Sequence, residues 1–152
     1  MRYEAPDTIE AASRMLAAES GDARVLAGGT DLIVQLREGR RSVKFVVDIK
    51  KIPALNEIKY ESGKDLVVGA SVPCATLARH AGIRKDFAGV VDGFSLIGGT
   101  AIQSRATIGG NLCTASPAGD AIPTLIAHNA VCTIAGVNGY REVKAEDFCI
   151  AP

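Results

Sequence analysis

Apolar positions in the first third of the chain repeat with two different periods, that of a helix and that of a strand. After a capping-box sequence at 7–10, apolar side chains recur on one helical face, and Ser20-Gly21-Asp22 ends this pattern. Three more elements follow: a strand over 23–27, a helix over 30–38 with Leu32, Val34 and Leu36 partly buried, and a strand over 44–49. Helices that alternate with strands predict a small parallel sheet with helices packed against it.

The pattern changes at about Pro53, where we expect one lobe to end and a second to begin. The second part contains these predicted elements: a β-hairpin over 57–60 and 65–70, helices over 72–80 and 87–98, a helix over 120–128 with Ile122, Leu125 and Ile126 facing inward, and strands over 130–135 and 140–143. The expected lobes are about 1–53 and about 54–152.

A stretch of small and polar residues at 106–120 has the composition of a ligand-binding loop. Gly109 and Gly110 lack β-carbons, so the backbone there can turn tightly and a bulky anion can approach its amides. Ser116-Pro117 is suited to start a helix, whose unpaired N–H groups would bind a phosphate. The stretch therefore predicts an anion-binding turn followed by a helix.

A second glycine pair, Gly28-Gly29, lies between a predicted strand and a predicted helix. The two glycine pairs are about 80 residues apart in sequence. Both precede a polar hydrogen-bonding residue and a helical pattern, so both loops could close on one ligand that carries a diphosphate. Gly-x-Gly-x-x-Gly does not occur and no lysine follows the glycines, which disfavours Rossmann and P-loop sites.

Composition narrows the classes of function. The 152 residues carry 17 basic and 17 acidic side chains, and this zero net charge argues against electrostatic nucleic-acid binding. No apolar run approaches the roughly 20 residues that a membrane span needs, and no leader opens the chain, so a cytoplasmic protein is expected. Four scattered cysteines and two histidines favour reduced thiols over a metal site or a disulfide.

Three segments resemble the FAD-binding subunit of the molybdenum hydroxylases, the family of xanthine dehydrogenase and aerobic carbon monoxide dehydrogenase: Ala27-Gly28-Gly29-Thr30-Asp31-Leu32, Ile102 to Leu112 with Ala106-Thr107-Ile108-Gly109-Gly110-Asn111, and Ala115-Ser116-Pro117-Ala118-Gly119-Asp120. The resemblance runs from about Tyr3 to the end of the chain. It implies an α+β fold of the PCMH type, with a small α/β lobe, an antiparallel-sheet lobe and FAD between them. It also implies that this FAD-binding domain is incomplete at its C-terminus.

The resemblance further implies which residues contact the flavin: Leu26, Ala27, Gly28, Gly29, Thr30, Asp31 and Leu32; Thr107, Ile108, Gly109, Gly110 and Asn111; and Thr114 and Asp120. Gly28, Gly29 and Thr30 are expected at the pyrophosphate. Because a carboxylate would repel a diphosphate, Asp31 and Asp120 are expected either to cap a helix or to accept hydrogen bonds from ribityl or ribose hydroxyls, with capping favoured for Asp31 and the ligand role for Asp120. Arg105 could neutralise the pyrophosphate or pair with a surface acid, and both alternatives stay open.

In the family, this subunit carries electrons and does no chemistry on the organic substrate. An iron–sulfur subunit relays electrons from a molybdenum-cofactor subunit, and FAD passes them to NAD or another acceptor. The resemblance therefore implies both subunits as partners and assigns no catalytic residue or metal ligand to this chain. Two alternatives are a different two-lobe flavoprotein reductase, such as an enolpyruvyl-UDP-sugar reductase, and a docking module that has lost its flavin.

Overall fold

A parallel sheet of three strands forms the first third of the molecule. The computed structural model describes residues 1–19 and 21–150, so part of the predicted helix end, Ser20, lies outside the described residues. The elements are β1 (Arg2–Glu4), α1 (Ile9–Ala18), β2 (Ala23–Leu26), α2 (Leu32–Arg37) and β3 (Phe45–Asp48). The strand order is β1-β3-β2 and both pairings are parallel, as predicted.

Local sequence explains where α1 begins. The Thr8 hydroxyl accepts a hydrogen bond from the Ala11 amide at 3.2 Å, which confirms the predicted helix cap. In α2 the prediction for Val34 was wrong, because its side chain is 45% exposed. This helix has six residues and no fully buried one. It therefore lies at the surface.

Helices and two separate antiparallel strand pairs make up the rest of the described chain. After a 3₁₀ turn at Pro53–Asn56, the elements are β4 (Ile58–Lys59), β5 (Val67–Val68), α3 (Cys74–Arg79), α4 (Ala81–Asp86), α5 (Ala88–Ser95), α6 (Thr100–Gln103), α7 (Ile108–Thr114), α8 (Ala121–Ala127), β6 (Val131–Gly136), β7 (Gly139–Lys144) and α9 (Ala145–Phe148). β4 pairs with β5, which confirms the predicted hairpin, and β6 pairs with β7, so the two strands predicted near 130–135 and 140–143 also form an antiparallel pair.

The helical region differs from the prediction in four ways. The helices α4, α6 and α9 were not predicted, and Ile126, expected to face inward, is 40% exposed. Ser116-Pro117 does not start a helix, since α8 begins at Ala121 and the Ser116 hydroxyl accepts from the Ala118 amide within a turn. Nor do Gly109 and Gly110 form a turn, because both lie in the first turn of α7.

Buried apolar side chains form two clusters. The first cluster comprises Ala12, Ala23, Ala27, Phe45, Val47, Ile49 and Ile52. The second cluster comprises Val72, Cys74, Leu77, Ile83, Val90, Val91, Phe94, Ile97, Ala106, Ile108, Leu112 and Ala121. Along the sequence, the first cluster ends at Ile52 and the second begins at Val72. The lobe boundary near Pro53 stays a prediction.

Two contacts join elements that are distant in sequence. At Gly93 of α5, a β-carbon would lie 2.7 Å from Thr124 Cγ2 in α8, so glycine lets these two helices pack closely. Between the clusters, the Ser71 amide donates to the Leu55 carbonyl at 2.8 Å.

Within 1–19 and 21–150, no helix combines the length and apolarity that a membrane crossing needs.

Candidate functional site

The two glycine loops are in direct backbone contact. A β-carbon added to Gly28 would lie 2.1 Å from the carbonyl oxygen of Arg105 and 3.0 Å from Cα of Ala106. Contacts under 3.0 Å are not tolerated between such atoms, so only glycine permits this approach. The structure therefore brings together the two segments that the sequence predicted to share one ligand.

The first loop connects β2 to α2 and exposes backbone donors. Gly29 has a φ of +76°, a conformation that glycine adopts without steric cost, and its carbonyl accepts from the Ile33 amide at 3.1 Å. Across 1–19 and 21–150, no residue accepts a hydrogen bond from the amides of residues 28–32. A run of unpaired amides at the start of a helix is suited to bind an anion.

Asp31 does not cap α2 with its side chain, so the expected capping role was wrong. Asp31 occupies the N-cap position of α2, but its backbone is already helical and its carboxylate makes no capping hydrogen bond. The carboxylate instead accepts from the Gln35 side-chain amide at 2.6 Å, one turn further along. The first-turn amides of α2 are thus left without a side-chain acceptor.

The second loop forms the first turn of α7 and is held from two sides. The Thr107 hydroxyl accepts from the Gly110 amide at 3.1 Å, which caps the helix. A β-carbon on Gly109 would lie 2.7 Å from Cβ of Ala70, so this glycine permits close packing on the segment before α3. Thr107 is 3% exposed and Ile108 is 9% exposed, so both hold the loop rather than lie on its surface.

Gly110 faces more open space than its neighbour. A β-carbon there would meet a single atom within 4 Å, Thr107 Oγ1 at 3.0 Å. The Thr114 hydroxyl donates to the Gly110 carbonyl at 2.9 Å, so it is already engaged within the helix. Of the two glycines in this motif, Gly110 is therefore the one that leaves room for a ligand.

Asn111 carries a buried acceptor without a partner. Its Oδ1 atom is buried, and among the described residues no group donates a hydrogen bond to it. A β-carbon on Gly119 would lie 3.3 Å from this oxygen, so the Asn111 side chain lies beside the Gly119 backbone. An unpaired buried oxygen costs about 1–3 kcal/mol, which a ligand hydroxyl would offset.

An open groove lies beside this segment. Its volume is about 310 Å³ and its walls are Ala115, Ser116, Pro117, Gly119, Ile122, Pro123, Cys149 and Ile150. Asp120 lies next to this wall, is exposed, and makes no capping hydrogen bond to α8 although it stands at the N-cap position. Its carboxylate is thus free to accept hydrogen bonds from hydroxyl groups.

Sequence reasoning missed Lys50 as a neighbour of the first loop. Its ammonium group donates to the Ala27 carbonyl at 3.2 Å and pairs with the buried Asp48 carboxylate at 2.8 Å. The sequence signal that could have pointed to Lys50 was the acidic residue at the end of β3, Asp48. The carboxyl ends of adjacent parallel strands meet at one sheet edge, so residues just after β3 lie near the loop that follows β2. Leu26 at the end of β2 pairs in register with Asp48.

The cysteines lie outside the two glycine loops except for Cys113, and all four are free. Burial raises the pKa of the Cys74 thiol to about 11, so this side chain stays protonated and packs as a small apolar group. Within 1–19 and 21–150, histidine, cysteine and acidic side chains nowhere come together in groups of three or more that could hold a metal ion.

We expect Thr107→Val to lower the free energy of unfolding by about 1 kcal/mol, the typical contribution of a helix cap. Valine keeps the shape of the buried side chain but gives the Gly110 amide no acceptor. Urea denaturation measures the change, and Thr107→Ser, which keeps the hydroxyl, is the matched control. Equal stability of Thr107→Val and the unaltered protein would contradict the capping role.

Comparison with known proteins identifies the family of this chain. Residues 1–152 match the family described as "FAD binding domain in molybdopterin dehydrogenase". The nicotinate dehydrogenase FAD-subunit of Eubacterium barkeri is 32% identical over 147 residues, which are 96% of this chain and 49% of that protein. The carbon monoxide dehydrogenase medium chain of Hydrogenophaga pseudoflava is 30% identical over 146 residues, 96% of this chain and 50% of that one.

The fold is shared as well. A solved structure of carbon monoxide dehydrogenase from Hydrogenophaga pseudoflava, which lacks the Mo-pyranopterin moiety, superposes with a TM-score of 0.94 at 29% identity. The match covers 99% of this chain and 52% of that chain, so this chain spans about half the length of the relatives that it matches. The α+β fold predicted from the sequence is confirmed. This chain belongs to the family of FAD-binding domains found in molybdopterin dehydrogenases.

Proposed function

We propose that this chain holds FAD within the electron-transfer subunit of a molybdenum hydroxylase. The observation that carries the proposal is the contact of Gly28 with Arg105 and Ala106, which joins the two glycine loops into one surface. When bound, FAD would pass electrons from iron–sulfur clusters to NAD or another acceptor. The protein's own contribution is to bind and orient the cofactor.

The groups at the joined loops fit the chemistry of FAD. The unpaired amides of residues 28–32 are donors for a pyrophosphate, and the space at Gly110 lets an anion approach α7. The unpaired Oδ1 of Asn111 and the carboxylate of Asp120 are acceptors for sugar or ribityl hydroxyls. Donors and acceptors of these kinds match a ligand that combines phosphates with hydroxyl groups.

The residues proposed to hold FAD are Leu26, Ala27, Gly28, Gly29, Thr30, Asp31 and Leu32 in the first loop, Thr107, Ile108, Gly109, Gly110 and Asn111 in the second, and Thr114 and Asp120. Their proposed roles differ. Thr107 and Ile108 are buried and hold the start of α7, while Gly28 keeps the two loops in contact. Asp31 orders the first turn of α2 through Gln35.

The proposed partners are an iron–sulfur subunit and a molybdenum-cofactor subunit, with which the chain would act as an oxidoreductase in the cytoplasm. The relatives support this assembly, since one is called an FAD-subunit and another a medium chain. No catalytic acid, base or nucleophile is proposed for this chain. The function assigned to it is cofactor binding.

Titration of the protein with FAD, followed by the flavin absorption spectrum, tests the proposal. We expect saturable binding by the unaltered protein and a dissociation constant at least about tenfold larger for Gly110→Asp, because a carboxylate beside the pyrophosphate is repelled by it. A carboxylate in the first turn of a helix favours the fold by about 0.3–1 kcal/mol, so the variant should remain folded.

Gly136→Asp is the matched control for this variant. It adds the same charge in β6, where the nearest atom to a new β-carbon is 4.0 Å away, and we expect its FAD affinity to be unchanged. Equal affinity of Gly110→Asp and Gly136→Asp would exclude the second loop from the site. No flavin binding by the unaltered protein would overturn the proposal and favour a docking module without flavin.

A further inference from the structure

A hydrogen-bonded network lies at the carboxyl end of β3, directly behind the first loop. At its centre is Asp48, whose side chain is buried, with 5% of the residue exposed. Its Oδ2 atom accepts from the Tyr3 hydroxyl at 2.5 Å and pairs with Lys50 Nζ at 2.8 Å, and its Oδ1 accepts from the Lys50 amide at 2.9 Å. Both carboxylate oxygens are therefore occupied.

The ionic state of Asp48 follows from these contacts. Burial by itself would raise the pKa of the carboxyl group, but the hydrogen bonds from Lys50 and Tyr3 outweigh it and lower this pKa below its usual value. Asp48 is then a carboxylate at neutral pH, and its charge fixes the Lys50 ammonium group at 2.8 Å. A lysine held in this way has its remaining donors in defined directions.

One of those donors reaches the first loop. Lys50, in the segment that follows β3, donates from Nζ to the carbonyl oxygen of Ala27, which follows β2, at 3.2 Å. The preceding carbonyl, that of Leu26, accepts from the Ile49 amide at 3.0 Å. Two consecutive carbonyls of the loop are thus turned toward the segment that follows β3.

The direction of the Ala27 carbonyl determines the direction of the next amide. None of the described peptide bonds is cis, and in a planar trans peptide the C=O and N–H groups point to opposite sides. Because the Ala27 carbonyl points to Lys50, the Gly28 N–H points away from Lys50. No residue of 1–19 or 21–150 accepts a hydrogen bond from this N–H.

We infer that Lys50 is a positioning residue for the pyrophosphate of FAD, which acts by holding the Ala27–Gly28 peptide so that the Gly28 N–H faces the ligand. The inference rests on the proposed function, since it takes FAD to be the ligand of this loop. Asp48 and Tyr3 contribute to the same positioning. Tyr3 donates to Asp48, and Asp48 holds the Lys50 ammonium group that holds the peptide. This positioning strengthens binding of the FAD phosphates and has no effect on binding of the isoalloxazine ring.

Binding of two ligands to four forms of the protein tests the inference. The ligands are FAD and riboflavin, which has the flavin ring and ribityl chain but no phosphate. The forms are the unaltered protein, Lys50→Met, Lys50→Arg and the double variant Asp48→Asn with Lys50→Met. We expect Lys50→Met to weaken FAD binding about tenfold, the effect of losing one well-directed hydrogen bond to a charged acceptor, and to leave riboflavin binding unchanged.

The double variant separates positioning from simple charge neutralisation, and Lys50→Arg tests whether another cationic donor can replace lysine. Lys50→Arg keeps a cation with donors and should restore most of the FAD affinity. The double variant removes the buried charge together with its partner, so it should fold as well as the unaltered protein but still bind FAD weakly. Recovery of FAD affinity in the double variant would overturn the inference, because Lys50 would then matter only as the counter-ion of Asp48.

One further measurement completes the test. The amide ¹H–¹⁵N resonance of Gly28 should shift in Lys50→Met before any ligand is added, and Lys50→Arg should keep it near its original position. Unchanged FAD affinity in Lys50→Met, with normal binding by the unaltered protein, would overturn the inference and leave the proposed function intact. Failure of the unaltered protein to bind FAD would overturn both.

Discussion

Gly28→Ala is expected to weaken FAD binding at least about a hundredfold and to lower the free energy of unfolding by about 1–3 kcal/mol. The new β-carbon would lie 2.1 Å from the Arg105 carbonyl oxygen, a backbone atom that cannot rotate away. The two loops must therefore move apart, and the donors of one loop lose their place relative to those of the other. Losing two or three hydrogen bonds to a charged phosphate accounts for the binding effect.

FAD titration and urea denaturation of the same samples measure both effects. Gly136→Ala is the control, because a β-carbon at that position in β6 would have its nearest atom 4.0 Å away. We expect it to bind FAD as the unaltered protein does. If Gly28→Ala bound FAD with unchanged affinity, the contact between the loops would have no part in the site.

Phe94→Ala should have the largest effect on stability, a loss of about 3–5 kcal/mol, which is typical for deletion of a buried aromatic ring. Phe94 is 1% exposed in α5 and belongs to the second cluster, which also contains Ile108 and Leu112 of α7. A cavity there removes support from the helix that carries Gly110. Since domains of this size are only about 5–15 kcal/mol stable, we also expect a marked fall in the fraction of folded protein at 37 °C.

Thermal and urea unfolding measure this loss, and Tyr140→Ala provides the comparison. Tyr140 is an aromatic residue of β7 that is 62% exposed, so its truncation should change the free energy of unfolding by about 0.5 kcal/mol or less. A loss under about 1 kcal/mol for Phe94→Ala would show that α5 does not support the second cluster as described.

Long elements with a clear period were predicted well from the sequence. α1 and the hairpin strands β6 and β7 each span at least six residues, enough for a helical or alternating pattern to repeat. The unpredicted α4, α6 and α9 have six, four and four residues, so they contain too few turns to show a helical period. Their helical state depends on packing rather than on local sequence.

The sequence marks the two segments of the candidate site but not the way in which they pack. Small residues marked both loops, yet the Gly109-Gly110 pair was read as a turn when it serves close packing on Ala70 in the first turn of a helix. Capping by Thr107 explains the difference, because it allows glycine at the second and third helical positions. The contact between Gly28 and Arg105 depends on tertiary packing, which no local pattern reports.

That contact also bears on how the molecule folds. It joins positions 28 and 105, which are 77 residues apart, and each belongs to a segment held by a different apolar cluster. Closing so long a loop is entropically unfavourable until both of its ends are ordered, and contacts of this range slow folding. During synthesis from the N-terminus, the parallel sheet can order while the second loop is still missing. A nascent chain would therefore become competent to bind its cofactor late, after α7 has packed.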